Sequence, residues 1–142
     1  MPAGSPVEAV LGSALGAEPG EPVAVEGLEA FRAEVLESPL PVVVDFGAPW
    51  CAPCRAIAPV MVELARELAG QVKVVTVDTD ENQELARAYG ITTIPTLLFF
   101  HAGGELSHTA PGARPKRSLR ELARKLLETG EPSHTRTKDS QP

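Results

Sequence analysis

The sequence predicts one α/β domain: a strand-helix-strand crossover, completed by a hairpin and a last helix. Three observations carry this. The continuous apolar run Val42-Val43-Val44-Asp45-Phe46 reads as a strand covered on both faces, and helical spacing follows it directly. After Ile94-Pro95 the pattern changes to two strand-like runs around Ala102-Gly103-Gly104, which is a hairpin signal rather than another crossover. Finally, 142 residues with 43% apolar content suit one domain with a real core and are too few for two ordinary domains.

Residues 1-21 are rich in Pro, Gly, Ala and Glu and lack clean periodicity, so they read as a mobile extension with a short helical attempt around Val7-Leu15. The folded domain is placed at 22-129. Pro22-Val23-Ala24-Val25 suits a short edge strand, and Leu28, Phe31, Val35 and Leu36 recur at helical spacing before Pro39 and Pro41. Strand 42-46 leads to a helix over about 52-69, in which Ile57, Val60, Met61, Leu64, Ala65 and Leu68 share one face. A strand over 72-77 and a helix over about 81-89 come next. Thr96-Phe100 and Glu105-Thr109 form the hairpin arms. Leu119, Leu122, Ala123, Leu126 and Leu127 give the last helix, with Ser118 and Glu121 spaced as a capping box and Gly130 as its stop. The tail 130-142 contains no large apolar residue and is expected to be disordered.

Composition excludes several functions. A formal charge of -6 with no basic stripe disfavours nucleic acid. Five acids, Glu8, Glu18, Glu21, Glu26 and Glu29, fall in the first thirty residues, where no Lys or Arg occurs. A secretory signal needs a basic region at that point, and no apolar run reaches membrane-spanning length, so a cytoplasmic protein without a membrane partner is expected. No phosphate-gripping glycine pattern is present. His101, His108 and His134 are scattered, so no metal site is expected.

Cys51 and Cys54 are the only cysteines, two residues apart in Trp50-Cys51-Ala52-Pro53-Cys54, where a strand gives way to a helix. Disulfide exchange needs one attacking thiolate and a second thiol near enough to release the mixed disulfide. At a helix start, free backbone donors and the positive helix end favour S⁻ over SH on the first cysteine. Cys51 is therefore read as nucleophile, and Cys54, one turn along and more enclosed, as resolving thiol. Half of a zinc site and a merely structural pair are the competing readings; the former wants two further ligands and finds no other cysteine. Pro53 fits the first helical turn without losing a helical hydrogen bond.

Asp45 interrupts an otherwise apolar strand. It is either partly solvated or bridged, or it is a buried carboxyl behind the cysteines that takes the proton of Cys54. Pro59 falls within the long helical pattern, which continues beyond it and favours one kinked helix over two. Trp50, beside Ala48-Pro49 in the strand-to-helix loop, is expected on a partly exposed apolar rim.

With Val43-Val44-Asp45-Phe46, Ala48-Pro49-Trp50-Cys51-Ala52-Pro53-Cys54-Arg55, Ile57-Ala58-Pro59, Val77-Asp78, Tyr89-Gly90-Ile91, Ile94-Pro95-Thr96 and Gly112 in this order, the chain resembles the thioredoxin family over roughly residues 22-129. The resemblance implies a thioredoxin fold, a central mixed β-sheet flanked by helices. It implies a protein-disulfide reductase working by dithiol-disulfide exchange, with catalytic Cys51, Cys54 and Asp45 and with a cis proline at Pro95. It implies that a client segment lies along Trp50, Pro53, Ile94, Pro95 and Gly112, largely through main-chain hydrogen bonds. Protein disulfides and a flavin-containing thioredoxin reductase drawing on NADPH are the implied partners. No bound cofactor is expected beyond the Cys51-Cys54 couple itself, and the chain is expected to be a monomer. The alternatives are a thiol oxidant or disulfide isomerase, and a redox-independent client-binding scaffold.

Two departures from the family pattern concern the site. Gly47 stands where the family often has Trp, which opens space beside Asp45 and Cys54. Val74 is read as replacing a lysine that many bacterial members place near the buried acid, so Asp45 should lack a positive partner and favour its protonated form.

Overall fold

The computed structural model describes residues 20–128. The extension assigned to 1-21 lies outside the described residues except for Gly20 and Glu21, and the tail and the Gly130 helix stop lie wholly outside. Five strands form one mixed sheet in the order β1-β3-β2-β4-β5: β1 Val23–Val25, β2 Val42–Gly47, β3 Lys73–Asp78, β4 Thr96–Phe100 and β5 Leu106–Pro111. The strand β2 lies at the centre, parallel to β3 and antiparallel to β4. Its neighbours on both sides explain why its first five residues are all buried and its sequence reads as a continuous apolar run.

Helices cover both faces. On one face α2 (Ala52–Glu67) and α4 (Lys116–Glu128) pack on Val43, Val74, Leu97 and Phe99. Ile57, Met61, Leu64 and Ala65 of α2, with Leu68 just beyond it, supply the buried side chains at helical spacing. Burial of each large side chain contributes about 1.5–3 kcal/mol. The opposite face, built on Val42, Val44, Phe46, Val75, Leu98 and Phe100, is covered by α1 (Leu28–Phe31) with its continuation Arg32–Leu36, and by α3 (Gln83–Ala88). There Phe31, Tyr89 and Phe100 form an aromatic group with ring centroids 5.5–6.1 Å apart.

Local details depart from the expectations at three points. Leu28 is 51% exposed, so the core side of the first helix begins at Phe31. The helix also widens into a π turn over Arg32–Leu36, closed by the Glu37 amide donating to the Arg32 carbonyl at 2.9 Å. The capping box at Ser118 and Glu121 is not formed. The helix α4 begins at Lys116, and the Pro115 carbonyl already accepts from the Leu119 amide at 3.2 Å, which leaves Ser118 inside the helix. Helix α2, as expected, runs unbroken through Pro59.

The hairpin turn needs its glycine. At Gly104 φ is +100°, and a Cβ would come within 2.6 Å of the Leu36 carbonyl oxygen, so the turn presses on the end of the first helix. On the other side of the sheet Lys116 bridges Glu63 and Glu67 at 2.9 and 2.5 Å, and Arg120 meets Glu67 at 3.0 Å, fixing α4 along α2.

Candidate active site

The C-terminal end of β2 delivers the site. The chain leaves the sheet at Gly47, crosses Ala48-Pro49-Trp50, and enters α2 with Cys51 as its N-cap residue. Cys51 has extended backbone angles, and its Sγ accepts a hydrogen bond from the Cys54 amide at 3.2 Å. A sulfur therefore occupies the place where Ser or Asp commonly caps a helix, facing unsatisfied amides and the positive helix end. Pro53 follows at the second helical position, exposed, where its missing amide removes no helical bond.

The two sulfurs are joined in a disulfide, with Cα atoms 5.2 Å apart. Ala48 and both cysteines form a small buried group against which Ile94 packs. Ile94-Pro95 is a cis peptide bond, and the Ile94 carbonyl oxygen lies 3.9 Å from Cys51 Sγ. The Pro95 carbonyl in turn accepts from the Gly112 amide at 2.7 Å, which ties Gly112, at φ +85°, to the same corner. Trp50 is 65% exposed beside the pair, and its indole Nε1 donates to the Asp80 carboxylate at 2.7 Å. Arg55 holds the loop from the other side, donating from Nη1 to the Pro49 carbonyl at 2.9 Å.

Asp45 is 8% exposed and its Oδ1 has no hydrogen-bond partner among the described residues. Burial pushes its carboxyl up to about 6 from an ordinary 3.8, and no neighbouring cation offsets that effect. In the strand register Thr76 is the β3 residue paired with Asp45, and Val74, paired with Val43, lies diagonally from it on the same face of the sheet, within reach of a long side chain at that position. Neither residue carries a charge, so Asp45 has no positive partner on β3.

One correction concerns the cysteines. The sequence places Cys54 as the more enclosed, whereas Cys51 is 5% exposed and Cys54 8%. Their difference lies in what each faces. Cys51 faces Ile94, while Cys54 borders an open cavity of about 310 Å³ lined by Asp45, Gly47, Ala48, Pro49, Ala58 and Val77 among others. A Cβ at Gly47 would stand 3.1 Å from Cys54 Sγ and 3.8 Å from Asp45 Oδ1, so both groups converge on the space that glycine leaves.

Sequence reasoning did not find Asp80 or Thr76. Both depend on the parallel β2-β3 register, which sets Gly47 against Asp78 and so brings the end of β3 beside the cysteine loop. No local spacing encodes that juxtaposition.

The thioredoxin family model matches residues 22–125, which include every element bearing on this site. The chain belongs to the thioredoxin family. It is 50% identical to thioredoxin 1 of Nostoc sp. over 97 residues, 68% of this chain and 90% of that protein. It is 48% identical to thioredoxin of Bacillus subtilis over 99 residues, 70% of this chain and 92% of that one. Among solved structures, a point mutant of thioredoxin from Halobacterium salinarum superposes with a TM-score of 0.71 at 34% identity, covering 78% of this chain and 94% of that one. Membership and the Cys51-Cys54 disulfide make the protein a thiol-disulfide oxidoreductase, a protein-disulfide reductase whose redox centre is this pair. Thioredoxin membership implies disulfide-bearing protein substrates and a reductase partner. No helix among the described residues is long and apolar enough to cross a membrane.

Proposed function

We propose that reduced Cys51 attacks a client disulfide and that Cys54, deprotonated by Asp45, resolves the product. The observation that carries this is the capping geometry: the Cys54 amide already points at Cys51 Sγ from 3.2 Å, so charge on that sulfur meets a fixed donor at a helix N-terminus. The Cys51 thiolate forms a bond to one client sulfur, and the other client sulfur leaves as thiolate. The Asp45 carboxylate then accepts the Cys54 thiol proton. Cys54 Sγ attacks Cys51 Sγ, the second client thiol departs, and the disulfide seen here remains.

The client segment runs beside Cys51 over Trp50, Pro53 and Ile94, with the Ile94-Pro95 backbone and Gly112 as the far wall. Exposed Trp50, anchored by Asp80, supplies a rigid apolar surface, and the short approach of Ile94 to Cys51 supports extended main-chain recognition. A flavoprotein reductase drawing on NADPH recharges the pair. The protein acts as a monomer in the cytoplasm, a reducing compartment that suits a pair which must cycle.

The test is insulin-disulfide reduction with the two single-cysteine variants. Cys51→Ser should abolish turnover, and Cys54→Ser should accumulate a mixed disulfide that mass spectrometry maps to Cys51. Turnover by both variants, or a trapped client on Cys54 alone, overturns the assignment.

A further inference from the structure

The cavity above Gly47 approaches the redox pair from a different side than the client surface. Cys51 is reached from Ile94 and Trp50; Cys54 borders the cavity, whose walls at Ala48, Pro49, Ala58 and Val77 are apolar. Gly47 is not there for its backbone, since its φ lies outside the left-handed region; what it contributes is room. Asp45, more than nine-tenths buried, presents an unpartnered Oδ1 toward that same room. A volume of about 310 Å³ exceeds the roughly 30 Å³ of a water molecule many times over.

We propose that this cavity is a second entrance to the redox couple, through which a small uncharged hydroperoxide reaches Cys54 of the reduced protein and is reduced there. The lining narrows the ligand. Apolar walls carry one cation, Arg55, and two acids, Asp45 and Asp78, a mixed lining that suits a small uncharged molecule, and a hydroperoxide carries the O–H donor that Asp45 Oδ1 lacks a partner for.

The chemistry uses groups already in place. Asp45 takes the thiol proton of Cys54; the thiolate Sγ attacks one peroxide oxygen, an S–O bond forms and the O–O bond breaks. The departing oxygen leaves as water (or as an alcohol, for an alkyl hydroperoxide) with the proton returned by Asp45. The Cys51 thiol then displaces the hydroxyl from the Cys54 sulfenic acid, which leaves as water with the Cys51 proton and restores the disulfide. Two thiols thus supply the two electrons that reduce one peroxide. The step rests on the proton exchange between Asp45 and Cys54 proposed above, and not on Cys51 as client nucleophile.

The experiment treats the Cys51→Ser variant, in which Cys54 is the only thiol, with hydrogen peroxide and traps sulfenic acid with dimedone for mass spectrometry. Two further changes in this background separate access from contact. Gly47→Ala adds the same 3.1 Å contact on Cys54 Sγ but leaves most of the cavity open, whereas Gly47→Trp fills it. Labelling should persist within about threefold in the alanine variant and fall by about tenfold or more in the tryptophan variant. An unlabelled Cys54, or equal loss in both variants, overturns the proposal. Should the tryptophan variant fail to fold by circular dichroism, reagent size decides: in Cys51→Ser, iodoacetamide should modify Cys54 while a polymer-linked maleimide should require unfolding, and equal rates overturn the proposal. Client trapping on Cys51 in the Cys54→Ser variant succeeds or fails independently of these outcomes, because that variant lacks the sulfur labelled here.

Discussion

Replacing Asp45 with Asn removes a charge that the fold holds at a cost. Burial raises the carboxyl from 3.8 to about 6, with no cation in compensation. At about 1.4 kcal/mol per pH unit, that rise equals roughly 3 kcal/mol between the charged and neutral forms. The direction follows from proton binding. Below about pH 4 the group is protonated in both states and carries no penalty. Between about pH 4 and 6 the native state holds a proton that the unfolded state has released, so stability falls as pH rises through that window. Above it the penalty is complete. Asp45→Asn should therefore match the parent near pH 3.5 and exceed it by up to about 3 kcal/mol at pH 8, read as a shift in the urea midpoint at unchanged slope. A variant that is less stable at pH 8, or whose advantage does not change with pH, would refute the burial argument. The same variant should slow resolution of the mixed disulfide at pH 7 by about 100-fold or more if Asp45 is the base. Gain in stability and loss of rate from one substitution distinguish a functional carboxyl from a packing accident.

Other substitutions test other links. Trp50→Ala removes an exposed ring held by Asp80, so it should lower insulin-reduction kcat/KM by about tenfold with little change in Tm. Asp80→Asn should give a smaller loss of the same kind, because the ring remains but its charged acceptor is gone. Gly104→Ala places a Cβ 2.6 Å from the Leu36 carbonyl at positive φ, and should destabilise the fold by at least about 2 kcal/mol in thermal or urea unfolding while leaving the cysteine chemistry intact.

Much of the fold was legible because its signals are local. The run at Val42–Phe46 is apolar because β2 has neighbours on both sides and helices on both faces, and the α2 face repeats because that helix lies along the sheet. The cysteines announced the site by spacing, and Asp45 by its misfit in an apolar strand. What escaped was set by register or by competition at helix ends. Thr76 beside Asp45 and Asp80 beneath Trp50 depend on how β3 lies against β2, which no window of sequence contains. Ser118 has the spacing of a cap, but Pro115 starts the helix first. Gly47 was visible in the sequence as a missing side chain, but that Cys54 is no more enclosed than Cys51 and borders a cavity beside that glycine required the fold.

The most direct measurement of the central claim is the reduction potential of the Cys51-Cys54 couple, obtained by equilibration against a dithiothreitol or glutathione buffer. A protein-disulfide reductase should lie near about -270 mV, low enough to pass electrons to exposed client disulfides. A value near about -120 mV would mark a couple that accepts electrons from clients and would contradict the account.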